Sequence, residues 1–254
     1  MNLPVLYQDQ HLVIIDKPAG MLVHRSKIAA GERVFAMQTL RDQLGQHVFP
    51  VHRLDRPTSG LLLFALSAEV ARALTTQFTS RQVQKSYLTL VRGWVREAAT
   101  LDYPLQEEHD PILGKATADK AAQTAVTAYA PLAQVELPLP VGRYPTARYS
   151  LLACAPHTGR RHQLRRHFHH LSHPIIGDTT HGDGRHNRLF RHQLGFDDLA
   201  LRAWRLCFHH PVSGQILDIE APLPASWEAL FVRFGWQSQQ LLAEAEKWHH
   251  QEHA

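Results

Sequence analysis

The segment from Val51 to Phe64 constrains the fold most strongly, because a turn-rich polar stretch runs directly into a continuous apolar run. The apolar residues Leu61 to Phe64 follow a glycine, and such a short run indicates a buried strand rather than a helix. The polar stretch carries Asp55 on a loop before that strand, between Arg53 and Arg56. The sequence therefore predicts one carboxylate that a rigid strand holds in a positively charged opening.

The rest of the pattern predicts an α+β fold. Predicted strands outnumber predicted helices and mostly follow one another without crossover helices, which favours a central mixed, mainly antiparallel sheet flanked by helices. The strands are predicted at 3–7, 11–16, 84–94, 124–135, 147–155, 199–209 and 215–220, and the helices at 34–45, 67–78, 160–171 and 227–234. Residues 102–124 are predicted to be an irregular excursion, and Ala243 to Ala254 a polar tail with little to bury.

Composition excludes several classes of protein. The chain of 254 residues contains no run of eighteen apolar residues, and its N-terminus lacks the basic and apolar regions of a secretory signal. Its two cysteines, Cys154 and Cys207, are far apart in apolar stretches, which predicts buried free thiols in a reducing cytoplasm. We therefore expect a cytoplasmic protein with no membrane contact and no CxxC metal or redox site.

Positive charge is clustered rather than large. The formal net charge is +4, yet Arg160, Arg161, Arg165 and Arg166 fall within one short segment, and no acid occurs from Arg160 to His173. Clustered arginine indicates binding to phosphate or nucleic acid more strongly than net charge does. The sequence predicts an RNA-binding face that includes this segment.

The string His52-Arg53-Leu54-Asp55, two residues, then Thr58-Ser59-Gly60 and an apolar run resembles the catalytic motif of the RluA family of pseudouridine synthases. The resemblance implies the fold of that family, an enzyme that converts uridine to pseudouridine in RNA, and no cofactor. It also implies that Asp55 is the catalytic residue and that Arg53 fills the space vacated when the target base leaves its helix.

Two further motifs extend the resemblance. Lys85-Ser86-Tyr87 matches the second motif of the family, in which the tyrosine ring stacks on the target uracil. The segment from Thr158 to Arg165 matches the third, which implies that Arg165 pairs with the catalytic carboxylate and that Leu164 packs against the base. A guanidinium would keep that carboxylate charged and fix its direction. The residues expected to hold the RNA backbone are Arg160, Arg161, Arg166 and Arg185.

The chain departs from the broader family at His181-Gly182, where Tyr-Gly is usual. Together with the strings at 22–26 and 142–146, this departure resembles a subgroup that modifies tRNA. The resemblance covers about 3–236, which predicts one catalytic domain at 1–236 without an S4-type RNA-binding domain, followed by a polar tail at 237–254. We expect tRNA as the partner, at a uridine near the end of the T stem next to the acceptor stem, and no obligate protein partner.

Two alternatives to this function stay open: a ribosomal RNA pseudouridine synthase of the same family, and a catalytically silent RNA-binding protein. A zinc site would be the alternative role of four histidines in and just after the helix predicted at 160–171, namely His167, His169, His170 and His173. Since no acid or cysteine accompanies them, the sequence instead predicts that they face RNA phosphate and that no metal is bound.

Overall fold

The computed structural model describes residues 2–24, 34–107 and 121–253. Within these ranges the chain forms ten strands and six α-helices, which confirms the α+β class. Residues 25–26 and most of the predicted irregular excursion lie outside the described residues. The elements in chain order are β1 (Val5–Gln8), β2 (Leu12–Lys17), α1 (Ala36–Leu44), β3 (Phe49–Pro50), β4 (Ser59–Ala65), α2 (Ala68–Thr79), β5 (Gln84–Arg92), β6 (Ala99–Asp102), β7 (Val126–Leu137), β8 (Ala147–Pro156), α3 (Gln163–His170), α4 (Gly184–Leu189), β9 (Leu201–His209), β10 (Ile216–Glu220), α5 (Ala225–Phe234) and α6 (Ser238–Glu252).

The chain folds into two compact units. The first contains the described residues of Met1–Lys85, Leu105–Gln123 and Ala203–Ala221. The second contains those of Ser86–Pro104, Thr124–Arg202 and Pro222–Ala254. The assignment of 1–236 to a single catalytic domain stays a prediction.

The first unit is organised around β4, all of whose residues are buried. Strand β2 pairs antiparallel with both β1 and β4, and β10 pairs antiparallel with β9. One face of β4 packs against Val70 and Leu74 of α2. Helix α2 begins where the sequence predicts, because the Ser67 hydroxyl oxygen accepts a hydrogen bond from the Val70 amide at 3.2 Å. The predicted buried strand after the Asp55 loop is confirmed.

The second unit contains an antiparallel array in the order β5, β8, β7, β6. Tyr87 of β5 lies opposite Cys154 of β8, which lies opposite Tyr129 of β7, so these three side chains share one face. Helix α3 covers that face, with the rings of Phe168 and Tyr129 edge to face at 5.5 Å. Tyr87 therefore projects from the same face of the array that α3 packs against.

The C-terminal segment corrects one expectation. Residues 238–252 form α6, which buries Leu241, Ala245 and His249. The Ser86 hydroxyl lies 2.6 Å from Nδ1 of His249, on the opposite face of β5 from Tyr87. The prediction of a polar tail with little to bury is wrong, because every fourth residue of this helix packs inward.

No helix within the described ranges combines the length and the apolar character that a transmembrane span requires.

Candidate active site

The loop that carries Asp55 is held at both ends. The Thr58 amide donates a hydrogen bond to the Asp55 carbonyl at 3.1 Å, which closes a tight turn. Gly60 follows with φ of +110°, and a Cβ there would lie 2.1 Å from the carbonyl oxygen of Ala203. Only glycine fits both constraints. Asp55 itself is half-buried on this loop.

A buried lysine lies under the same loop. Nζ of Lys17 donates hydrogen bonds to the carbonyls of Pro18 at 3.0 Å, Met21 at 2.8 Å and Arg56 at 3.1 Å. Burial lowers the pKa of Lys17 from 10.5 to about 7, although the nearby charge of Asp55 raises it. Lys17 therefore joins the turn after β2 to the Asp55 loop and, below about pH 7, places a positive charge near the carboxylate.

Replacing Lys17 by Met should lower the free energy of unfolding by about 2–4 kcal/mol, because three carbonyls lose their donor. The pH dependence should change as well. Between pH 7 and 10.5 the unfolded chain carries a proton on Lys17 that the folded chain has lost, so this group makes stability rise with pH, by at most about 1.4 kcal/mol per pH unit. Urea unfolding from pH 7 to 9 should show a shallower rise for Lys17→Met than for the wild type. Lys247→Met on the exposed side of α6 is the control, and an equal slope in all three proteins would contradict the assignment.

His52, the first residue of the Asp55 motif, has a structural role. Its Nε2 accepts a hydrogen bond from the Leu63 amide at 3.0 Å, and its ring stacks on Phe78 at 4.7 Å between centroids. Burial, assisted by the positive charge of Lys85, lowers the pKa of His52 to about 3. This imidazole is therefore neutral at physiological pH and fixes the loop rather than moving a proton.

The two arginines beside Asp55 differ in their contacts. Nε of Arg56 donates a hydrogen bond to the Gly20 carbonyl at 3.0 Å, which adds a second link between the two loops. Arg53 is exposed and makes no hydrogen bond or ion pair with any residue that the structure describes. An exposed guanidinium beside Asp55 suits the predicted entry of Arg53 into RNA, and that role stays a prediction.

The segment before α3 is fixed by Gln163. Oε1 of Gln163 accepts hydrogen bonds from the Thr158 hydroxyl at 2.7 Å and the Arg160 amide at 3.0 Å. Its amide nitrogen donates to the Val126 carbonyl at 2.9 Å and the Thr127 hydroxyl at 3.0 Å. The third motif is thus anchored to β7, so that Leu164 and Arg165, both buried, have defined positions.

Arg165 forms a buried ion pair with Asp178. Its Nε and Nη2 donate to the two carboxylate oxygens at 2.7 and 2.8 Å, and the two side chains are 4% and 0% exposed. Asp178 also accepts hydrogen bonds from the amides of Thr180 and His181, each at 2.9 Å. Burial raises the pKa of Asp178, but these hydrogen bonds outweigh burial and hold the pKa below its usual value. The carboxylate therefore stays ionised and fixes the edge of the Arg165 guanidinium that carries Nε and Nη2.

Comparison with known proteins decides the family. The model of the family described as RNA pseudouridylate synthase matches residues 11–170. The chain belongs to the RNA pseudouridylate synthase family. It is 56% identical to tRNA pseudouridine synthase C of Vibrio cholerae serotype O1, over 94% of this chain and 99% of that protein. It is 55% identical to tRNA pseudouridine synthase C of Yersinia pestis, over 92% and 91% of the two chains.

Solved structures agree with the pseudouridine synthase fold. Human RNA Pseudouridylate Synthase Domain Containing 1 superposes with a TM-score of 0.67 at 25% identity, over 88% of this chain and 84% of that chain. Human RNA Pseudouridylate Synthase Domain Containing 4 has the same TM-score at 24% identity, over 91% and 92%. The fold predicted from the motifs is confirmed.

The arginines predicted to hold RNA in this pseudouridine synthase are all in the second unit. Arg160 and Arg161 are exposed before α3, and Nε of Arg160 donates to the Thr124 carbonyl at 3.0 Å. Arg166 is half-buried on α3, while Arg185 is exposed on α4. Three of the four therefore cluster around the first turn of α3, and their contact with RNA stays a prediction.

The histidines of α3 correct another expectation. His167 is buried, with Nδ1 3.0 Å from the Thr127 hydroxyl and Nε2 3.0 Å from the Tyr103 carbonyl, and burial lowers its pKa. It therefore does not face RNA phosphate. His170 stacks on Tyr103 with 3.7 Å between centroids, and His169 donates to the His181 carbonyl at 2.7 Å. Within the described ranges, no group of three or more His, Cys, Asp or Glu residues could hold a metal ion.

Sequence reasoning assigned no role to two buried charged residues, Lys17 in the first unit and Asp178 in the second. Lys17 follows Asp16 and is the first residue of the turn-like string Lys17-Pro18-Ala19-Gly20, a pattern that is typical of a solvated loop. Asp178 follows an apolar stretch, and its partner Arg165 lies 13 residues away in sequence. Both act through contacts that only the folded chain brings together.

Proposed function

We propose that this enzyme isomerises uridine to pseudouridine in tRNA, with Asp55 as its catalytic residue and uridine-65, at the T-stem end next to the acceptor stem, as its target. The observation that carries the proposal is a half-buried carboxylate on a loop held by Gly60 and Lys17, in a chain of this family. The curated relatives named for tRNA support the choice of substrate.

The reaction breaks the N1–C1′ bond of uridine and forms a C5–C1′ bond. N1 gains a proton and C5 loses one, so the reaction is redox-neutral and its atoms balance without a co-reactant. Hydrolysis of a glycosidic bond uses two carboxylates and a water, whereas this isomerisation uses one carboxylate and must exclude water from the broken intermediate. A single fixed Asp55 suits that requirement.

The remaining predicted residues belong to the same proposal. Tyr87 would stack on the target uracil, Leu164 would pack against the base, and Arg165 would pair with the catalytic carboxylate. Extrusion of the base costs a few kcal/mol, and Arg53 would fill the vacated space. In support, Arg53 is exposed, and Arg165 is held by Asp178 in one orientation.

The test is tritium release from RNA whose uridines are labelled at C5, followed by mapping of pseudouridine in the product. Purified protein should release one tritium per tRNA and modify the T-stem uridine. Release from ribosomal RNA but not from tRNA would favour the ribosomal alternative. Binding of tRNA without any release would favour the non-catalytic alternative. The proposal includes a cytoplasmic location, because tRNA is its substrate.

Arg166→Ala should weaken tRNA binding and make its dependence on salt less steep. Each phosphate contact releases counterions, so loss of one should reduce the slope of log K against log salt by about 1. Filter binding from 50 to 200 mM salt measures the slope. Arg233→Ala, on the exposed side of α5, removes the same charge from another helix and should leave the slope unchanged. Identical slopes for wild type and Arg166→Ala would mean that this face of α3 does not contact RNA.

A further inference from the structure

The second unit contains an open cavity of about 380 Å³ at the C-terminal end of α3. Its wall includes Trp94, Arg96, Glu97, Tyr129, Leu171 and His173. Sites for small ligands typically enclose about 300–1,000 Å³ and combine aromatic walls with a few polar groups. We propose that this cavity binds one unpaired nucleobase of the RNA substrate, a role that rests on the proposed function and adds a second contact to it.

Trp94 provides a fixed stacking surface in this cavity. Its indole N–H donates a hydrogen bond to the Val135 carbonyl at 3.4 Å. The guanidinium carbon of Arg148 lies 4.3 Å from the ring centroid, and Arg148 is not part of the cavity wall. Arg148 therefore lies over one face of the indole ring. Bases of any identity stack on such a ring, because every base has a π face.

Hydrogen-bonding groups surround the position that a stacked base would take. The Tyr129 hydroxyl has no hydrogen-bond partner among the residues that the structure describes. Nδ1 of His173 donates to the Arg92 carbonyl at 2.8 Å, which leaves Nε2 as an acceptor. The imidazole fits here because Gly93 has no side chain: a Cβ at that position would lie only 2.9 Å from Nδ1 of His173. Together with the carboxylate of Glu97, these groups match the donors and acceptors on the edge of a base.

The charges of the cavity favour a base over a bare phosphate. Glu97 would repel a phosphate inside the cavity. Arg96 is exposed, its guanidinium carbon lies 6.0 Å from the Trp94 centroid, and it has no hydrogen bond or ion pair with any described residue. It can therefore cover a base stacked on Trp94 or contact the phosphate next to that base.

The cavity lies where RNA bound by α3 would reach it. Tyr129 shares a face of the array with Tyr87, and Leu171 follows Arg165 by six residues, about 9 Å along a helix. Trp94 follows Tyr87 by seven residues, at most about 23 Å of extended chain, so an RNA strand of several nucleotides is long enough to place a uridine at Tyr87 and another base at Trp94.

The test measures the affinity of the full-length enzyme for two RNAs. One is a fully paired stem that contains the target uridine, and the other is the same stem with single-stranded extensions at both ends. The wild type should bind the extended RNA about 10-fold more tightly. Trp94→Leu should lose most of this advantage without weakening binding to the paired stem. Trp94→Phe should keep it, since a phenyl ring still stacks. Turnover at saturating RNA should be the same in all three proteins.

Several outcomes would overturn the proposal. One is a wild type that binds both RNAs equally while forming pseudouridine, and another is a Trp94→Leu variant that keeps the 10-fold preference. If Trp94→Leu does not fold, Arg96→Ala and Tyr129→Phe leave the tryptophan in place and should each reduce the preference about 3-fold; an unchanged preference in both rejects the cavity. Absence of pseudouridine with every RNA would instead refute the proposed function, so the two failures are distinguishable.

Discussion

Replacing Asp55 by Asn should lower the rate of pseudouridine formation by at least about 10³-fold, while the affinity for tRNA changes little. The substitution removes the negative charge and the basicity of the proposed catalytic group but keeps its size. The turn should persist, because the Thr58 amide bonds to the backbone carbonyl of residue 55 and not to its side chain. Tritium release measures the rate, and filter binding measures the affinity.

Two controls make this result specific to Asp55. Asp42→Asn, on the exposed surface of α1, should keep full activity. The charge of Asp55 raises the pKa of Lys17, so Asp55→Asn should also lower the pKa of Lys17, which NMR of the Nζ group can follow without any RNA. Turnover above about one tenth of wild type by Asp55→Asn would refute the catalytic assignment.

Local patterns predicted the elements that carry the Asp55 loop. The apolar run of β4 is a buried strand because both of its faces are covered, and its start is marked by Gly60, which no other residue can replace. The predicted cap of α2 at Ser67 is also confirmed. This cap is equally local, because one hydroxyl and the amide three residues later are enough to define it. These signals extend over a few residues, so the sequence reveals them directly.

Helix α6 and His167 were missed although their spacing was visible. The inward positions of α6 are Leu241, Ala245 and His249, four apart, but an alanine and a histidine do not stand out as an apolar stripe. His167 follows Leu164 by three residues and precedes Phe168, so it falls on the buried side of α3. In both cases a buried histidine found a hydroxyl or carbonyl partner in the fold, which composition alone cannot show.

The structural roles of Lys17 and Asp178 could not be predicted from the sequence, because each role depends on hydrogen-bond partners that are distant in sequence. The carbonyl of Arg56 that accepts from Lys17 is 39 residues away. A charged group becomes buried only when several such partners meet it, since an unpaired buried charge would cost far more than the fold can supply. These residues therefore become recognisable as supports of the site only in the folded chain.

Asp178→Asn should destabilise the enzyme by about 3–5 kcal/mol, because it leaves the Arg165 guanidinium buried without its carboxylate. The contribution of this ion pair to the stability of the fold also depends on pH. Because the folded state holds the pKa of Asp178 below its unfolded value, the ion pair contributes fully above the unfolded pKa and its contribution disappears as pH falls through the folded pKa. The difference in unfolding free energy between wild type and Asp178→Asn should therefore shrink under acid conditions, which urea titrations at several pH values would show.

The chain offers a matched control in a second two-pronged ion pair, Arg205 with Asp218, whose donor–acceptor distances are both 2.8 Å. Asp218 is 26% exposed and Glu220 lies 3.6 Å from Arg205, so Asp218→Asn should cost only about 1 kcal/mol. Both variants are then assayed at a temperature where each is fully folded.

If Asp178 serves the reaction by orienting Arg165, Asp178→Asn should reduce kcat by about 100-fold while Asp218→Asn keeps it, because a guanidinium displaced by a fraction of an ångström loses its alignment. Asp178→Glu, which restores the charge at a slightly different reach, should recover part of the loss. Equal kcat values for the Asp178→Asn and Asp218→Asn variants would show that the buried pair stabilises the fold alone, and that Arg165 needs no second carboxylate to act on uridine.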